Sequence, residues 1–259
     1  SREAARRVSC VNNLKQITLA LGNYEISLGT LPPGCVDVAR PVTNEPIGYR
    51  FGWIAQLLPY LEQSMMASSL EFDRSIFDPA NVSAMTTSLT PLSCPSDGDS
   101  RGNSSIFAGN LAVAQPTVAA PPSLSFSNYA ACHHDSEAPI DINQNGVFFL
   151  NSRVRSEEVF DGTSNTIYVG EKLNHPTELG TLTGTRASLR NSGHRINSPM
   201  SAQQAADVRF VGGFASRHGG GANFGLGDGS VRFIHESINI ELFRRLGNRA
   251  DGELTQWDR

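Results

Sequence analysis

Between Glu3 and Leu28 the apolar residues Val8, Val11, Leu14, Ile17, Leu21, Tyr24 and Leu28 recur three or four positions apart, which is one face of an α-helix. Gly29 stops the pattern, and Pro32-Pro33-Gly34 prevents its resumption. A helix of about 25 residues extends about 38 Å, longer than most globular helices. It reads as a spine on which other elements pack. A second helical pattern runs from Phe51 to Leu70 through Trp53, Leu57, Leu58, Leu61 and Met65, with Pro59 in a first turn or at a kink. Asp78-Pro79 opens a third, short helix that ends before Pro91.

After Cys94 the texture changes. Ser96 to Ser105 is rich in turn formers, and Ala114 to Ser127 is a low-complexity Ala/Pro/Ser stretch expected to loop over the surface. Short β-type runs follow at 146–150, 166–170, 209–215, 222–226 and 230–234. The last two flank Gly227-Asp228-Gly229, a strong hairpin signal. Asn239 caps a closing helix from Ile240 to Leu246, and Gly247 ends it. Helices first and hairpin-linked strands afterwards predict an α+β fold with an antiparallel sheet. No mid-chain linker divides the 259 residues, so a single domain is expected, mainly helical over 29–95 and built of sheet and loops over 96–259.

Composition adds limits. Apolar residues are 39% of the chain, enough for a core, while 24 Gly and 14 Pro call for abundant irregular backbone. A net charge of -4 without a Lys/Arg stripe gives no attraction to phosphate backbones, so nucleic acid is not an expected partner. Arg2, Arg6 and Arg7 cluster on the first helix with Glu3 beside them, the pattern of a solvated face. There is no apolar run of eighteen residues. The helical pattern is already under way at Ser1, as in a piece of a longer protein, so this says little about a membrane segment elsewhere.

Four cysteines, Cys10, Cys35, Cys94 and Cys132, form no CxxC pair. Two disulfides in any of three pairings, or buried free thiols, remain open on spacing alone. Cys132-His133-His134-Asp135 carries metal-ligating side chains, but adjacent residues seldom face one centre and no HExxH accompanies them. Asp141, Asn143, Asn145 and Gly146 match the start of a calcium loop, with Ser152 where the bidentate Glu belongs; an ordinary Asx-rich turn is the favoured reading. Asp97 to Asn103 is a poorer calcium candidate. Glu171, His218 and Asp228 could converge for acid/base or metal chemistry, or His218 could hold a loop while Asp228 and Gly229 serve the turn. The glycines at 219–229 lack a following Lys-Ser/Thr, and Ser164 lacks the glycines of a nucleophile elbow.

Seven blocks spread in order over the chain carry a resemblance. They are Arg2 to Ile17, Leu31-Pro-Pro-Gly34, Leu58-Pro-Tyr-Leu-Glu-Gln63, Cys94-Pro-Ser-Asp97, Asp161-Gly-Thr-Ser-Asn-Thr166-Ile with Gly170-Glu171, His218-Gly-Gly-Gly-Ala-Asn223-Phe, and Asp228-Gly-Ser-Val-Arg-Phe-Ile234. Together they resemble the DUF1559 family of type II secretion G-like, prepilin-type proteins typical of planctomycetes, in which His218 and Asp228-Gly229 have the spacing called H-x9-DG. The resemblance implies a prepilin-type precursor whose apolar half-helix precedes Ser1, with residues 1–28 as the lower half of the pilin helix. It also implies a pseudopilin-like fold, the long helix packed on an antiparallel sheet.

It further implies export, with an inner-membrane anchor and the domain in the periplasm or at the cell surface, where cysteines meet an oxidising compartment. Cys10 and Cys94 lie in family blocks and Cys35 and Cys132 do not, so the expected pairs are Cys10 with Cys94 and Cys35 with Cys132. Several pseudopilins bind calcium, which keeps the loop at 141–146 of interest. The expected role is non-enzymatic, a structural or assembly subunit with pilin-like partners along the first helix. A second expectation is a glycan- or polymer-binding module using the polar loops at 97–145 and 174–207. A metal-dependent hydrolase is a distant third, requiring two or more of Glu171, His218 and Asp228 in an open pocket.

Overall fold

The computed structural model describes residues 2–97 and 123–253. Most of the low-complexity segment and nearly all of the 97–103 calcium candidate lie outside the described residues. Helix α1 spans Arg2–Leu28. It packs on a five-stranded sheet ordered β5-β3-β4-β6-β7, made of β3 (Tyr129–His134), β4 (Ile167–Glu171), β5 (Leu189–Asn191), β6 (Gly221–Leu226) and β7 (Val231–His235). The fold is therefore α+β, a long N-terminal helix on a sheet. The sheet is mixed rather than purely antiparallel, because β3 and β5 run parallel. Residues 135–188, which include β4, separate those two strands in sequence, and local pattern does not reveal such a pairing.

The buried side of α1 is Cys10, Leu14, Ile17, Thr18, Leu21 and Tyr24, so the apolar stripe is correct over its middle. Val8 and Leu28, predicted on that stripe, are exposed; near Val8 it is Glu3, Arg7 and Cys10 that turn to the body. The closest approach is at Gly225 of β6, where a Cβ would stand 2.6 Å from Thr18 Cγ2. Only glycine lets the helix lie that near the strand.

Alternation along β3 divides the core. Tyr129 and Ala131 join the cluster under α1, with Leu14, Ile17, Leu21, Trp53 and Phe148. Ala130 and Cys132 join the opposite cluster, with Phe214, Phe224, Phe243 and Leu246. The far face is covered by the C-terminal helix, Ile240–Gly247, whose Asn239 Oδ1 accepts from Glu241 N and Leu242 N as a cap.

The region between α1 and β3 is mainly helical but broken. A two-stranded sheet pairs β1 (Cys35–Val36) with β2 (Phe51–Gly52). Then come α2 (Trp53–Leu57), a 3-10 turn over Leu58–Leu61, and α3 (Ser64–Ser68). The pattern read as one helix breaks here because Pro59 enters the turn and Glu62 takes φ 60. Asp78 caps a 3-10 turn leading into α4 (Val82–Thr86). Helix α5 (Ala202–Ala206) carries a capping box at Ser201 and Gln204, and the C-terminal helix is α6. Two expected strands, 146–150 and 209–215, are extended or bent without a ladder.

Candidate functional site

The first buried turn of α1, the end of β4 and the segment entering β6 meet at one place. Cys10 is disulfide-bonded to Cys94, with Cα atoms 5.5 Å apart. Cys94 Sγ lies 3.6 Å from His218 Nε2. On its other ring nitrogen His218 meets Glu3, Nδ1 to Oε1 at 2.7 Å. Glu171 Oε1 stands 3.1 Å from His218 Nε2. The pair lacks hydrogen-bond alignment, and Oε1 has no hydrogen-bond partner although Glu171 is buried. Glu171 Oε2 is fixed by Asn223, which donates its N–H at 2.7 Å and its Nδ2 at 3.0 Å.

The local backbone explains the convergence. Along β4 and β6, Val169, Glu171, Asn223 and Gly225 face α1, and the intervening residues face α6. Cys94 is oriented by Asn128, whose Oδ1 accepts Cys94 N at 2.8 Å and whose Nδ2 donates to Asp97 Oδ2 at 2.7 Å. Arg217 lies 3.5 Å from Asp97 above them. The Glu171 carboxylate, and then Glu3, hold the His218 imidazole above its ordinary pKa against the opposing pull of burial. Glu3 is lowered in return, chiefly by its hydrogen bond to His218.

Asp228 is not part of this group. Six residues of β6, about 20 Å at the usual rise, lie between His218 and Asp228. Asp228 is exposed in the turn, its Oδ1 accepting Ser230 N at 2.9 Å, and Gly229 supplies φ 84 there. Glu171 and His218 do meet, and both are buried.

The pairing of Cys35 with Cys132 is corrected: both are buried free thiols. Cys132 leaves the α6 face of the sheet, and Cys35 sits in the cluster on the α1 side. The backbone of β3 stands between the two sulfurs. Burial pushes each thiol up to about 12, the direction that disfavours the reactive thiolate. In the Cys132–Asp135 stretch, His133 is wholly buried with Nδ1 2.7 Å from Gln144 Oε1, and His134 Nδ1 accepts Ser136 N at 3.0 Å. The four side chains do not share a centre.

The loop at 141–146 is occupied by internal partners. Asp141 Oδ1 accepts Ile142 N, Asn143 takes φ 58, and Asn145 Oδ1 accepts Asp135 N. Arg249 sets its guanidinium on the carbonyls of Gln144 and Gly146, the latter at 2.6 Å. A side-chain cation thus lies against the loop's carbonyls.

In the 174–207 region the structure forms an open cavity of about 250 Å³. Its walls include Asn174, His175, His194, Asn197, Met200 and Phe210. Below it Glu178 is wholly buried between Lys172 Nζ and Arg190 Nη2, each 2.5 Å away. Burial lowers Lys172 to about 8.

A family profile described as "protein of unknown function (DUF1559)" matches residues 1–241. The chain belongs to the DUF1559 family. No curated protein and no solved structure matches it. For this DUF1559 chain, sequence reasoning missed Glu3, Asn128 and Asn223. Glu3 read as one charge on a solvated helix face; Glu3 and Asn223 lie in family blocks that could have flagged them, and Asn128 lies in none.

Proposed function

We propose that this DUF1559 chain is the exported domain of a pseudopilin-like subunit, a non-enzymatic structural or assembly component of a type II secretion or pilus-like surface system. In this reading α1 continues into an apolar, membrane-inserted segment and meets neighbouring pilin-like subunits along its length. The observation that supports it is how α1 is fastened. Its N-terminal half is tied to the globular body by the Cys10–Cys94 disulfide, by Glu3 on His218, and by Arg7 stacked 3.6 Å from the Phe233 ring centroid. A helix that carries load along its axis has to be fixed to its domain in this way, since apolar packing alone lets it slide. Among the described residues no helix is long and apolar enough to cross a membrane, so the anchor in this reading lies outside them.

The test is expression of the full-length precursor with a prepilin peptidase. Recovery in the membrane fraction or in filament-like assemblies is the expected outcome, and a freely soluble full-length protein would overturn the proposal.

A second reading, a glycan- or polymer-binding module, is favoured by the cavity beside the 174–207 loops. Phe210 offers an apolar face in its wall. Glycan-array binding that Phe210→Ala abolishes would place the function there.

A further inference from the structure

Four ligand-type atoms, Cys10 Sγ, Cys94 Sγ, His218 Nε2 and a Glu171 carboxylate oxygen, lie within 4.8 Å of one another, and all four residues are buried. Tetrahedral zinc sites hold sulfur at about 2.3 Å and nitrogen or oxygen at about 2.0–2.2 Å from the metal, so neighbouring ligand atoms stand about 3.3–3.8 Å apart. Small side-chain movements bring the present cluster to that spacing once the sulfurs separate. We infer that Cys10, Cys94, His218 and Glu171 form a redox-gated site for a zinc-type divalent cation, in which the two sulfurs bind either each other or the metal.

Two independent features point to a ligand. Glu171 Oε1 is buried, aimed into the cluster, and without a hydrogen-bond partner, whereas Oε2 takes both donors of Asn223. His218 Nε2, 3.1 Å away, gives this oxygen a charge partner without an aligned hydrogen bond, so a cation bound between them would recover free energy. His218 has Nδ1 on the Glu3 carboxylate, which directs Nε2 inward, the outer-shell arrangement that orients metal-bound imidazoles. A cleft of about 10 Å³ lined by Cys94, Asn128, Glu171, Ser216 and Arg217 reaches the cluster from outside, with room near that of one water.

The chemistry balances with a dithiol as reductant. Thiol–disulfide exchange breaks the Cys10–Cys94 S–S bond, the dithiol leaves as its own disulfide, and its two electrons and two protons pass to the cysteine sulfurs. A divalent cation then displaces to solvent the two sulfur-bound protons and any proton on His218 Nε2, and binds both thiolates, with imidazole nitrogen and carboxylate oxygen as third and fourth ligands. Exchange with a disulfide reverses this: it accepts the two electrons and two protons from solvent, leaves as a dithiol, and the re-formed Cys10–Cys94 bond releases the metal. The inference does not depend on the pseudopilin reading, since it concerns what holds α1 to the sheet in either redox state.

The test uses the full chain with Cys35 and Cys132 both changed to Ser, so that only two sulfurs remain. After reduction by a dithiol and its removal without oxygen, Co²⁺ is titrated in. The expected result is one equivalent bound, with thiolate-to-cobalt charge transfer and the intense visible bands of tetrahedral Co²⁺, all displaced by Zn²⁺. The disulfide form should show none of these. His218→Ala and Glu171→Gln should each weaken binding at least tenfold. If reduction loosens the fold, far-ultraviolet circular dichroism gives a second readout: Zn²⁺ should restore the spectrum of the oxidised chain. A reduced chain that neither shows the charge-transfer band nor refolds with Zn²⁺, or a band that survives His218→Ala unchanged, overturns the inference.

Discussion

Glu3 Oε1 lies 2.7 Å from His218 Nδ1 across 215 positions of sequence. This contact, with the Cys10–Cys94 bond one helical stretch away, fixes α1 to the strand-bearing half of the chain. It also couples the fold to pH and to redox state, which gives measurable consequences.

Removing the disulfide should lower stability substantially. It closes a loop of 84 residues, for which loop entropy gives about 4.6 kcal/mol at room temperature. Urea unfolding of the Cys10→Ser/Cys94→Ser double variant should show that order of loss, and an unchanged midpoint would show that the bond constrains nothing.

Between about pH 6.5 and the raised pKa of His218 the folded state binds a proton that the unfolded chain releases. The stability His218 contributes is therefore complete below about pH 6.5 and is lost as pH rises through the folded value. His218→Gln should flatten this part of the pH profile of the unfolding midpoint, and Glu3→Gln should flatten it partly. A slope of the same steepness in both variants would assign it to other groups.

His133 acts with the opposite sign. Burial lowers it to about 4, so the unfolded chain takes up the proton first as pH falls below about 6.5. Stability should fall between about pH 6.5 and about 4, by about 3 kcal/mol in total. Replacing His133 with Gln should remove most of that decline, whatever its cost at neutral pH.

Gly225→Val should push α1 off the sheet, since even a Cβ would meet Thr18 Cγ2 at 2.6 Å. Overpacking of this kind costs about 1–3 kcal/mol. Gly225→Ala combined with Thr18→Ser, which deletes the opposing methyl, should recover most of the loss. Without recovery, the close approach at this point is not what sets the packing.

Cys35 and Cys132 should resist alkylation in the native protein, because both thiols are buried and raised to about 12. Unfolding without reductant should expose two reactive thiols, and with reductant four. Mass spectrometry that found no thiols in the unfolded, unreduced chain would restore the second disulfide.

Much of the architecture was legible in residue order alone. The spacing of Leu14, Ile17, Leu21 and Tyr24 determined α1, Gly227-Asp228-Gly229 determined the β6–β7 hairpin, and Asn239 and Gly247 marked the ends of the last helix. These signals are local, set by backbone dihedrals and by periodicities of 3.6 and 2. The family blocks likewise placed His218 and Glu171 among residues worth attention.

Only the tertiary structure decided which of those residues meet. The parallel pairing of β3 with β5, the separation of Cys35 from Cys132 by the sheet, and the turning of Asp228 away from Glu171 all depend on contacts between distant segments. The recruitment of Glu3, Asn128 and Asn223 around one sulfur pair depends on them too. The physical reason is that a side chain's partner across a sheet or helix face is fixed by how segments pack in three dimensions. Neighbours along the chain carry no record of that choice.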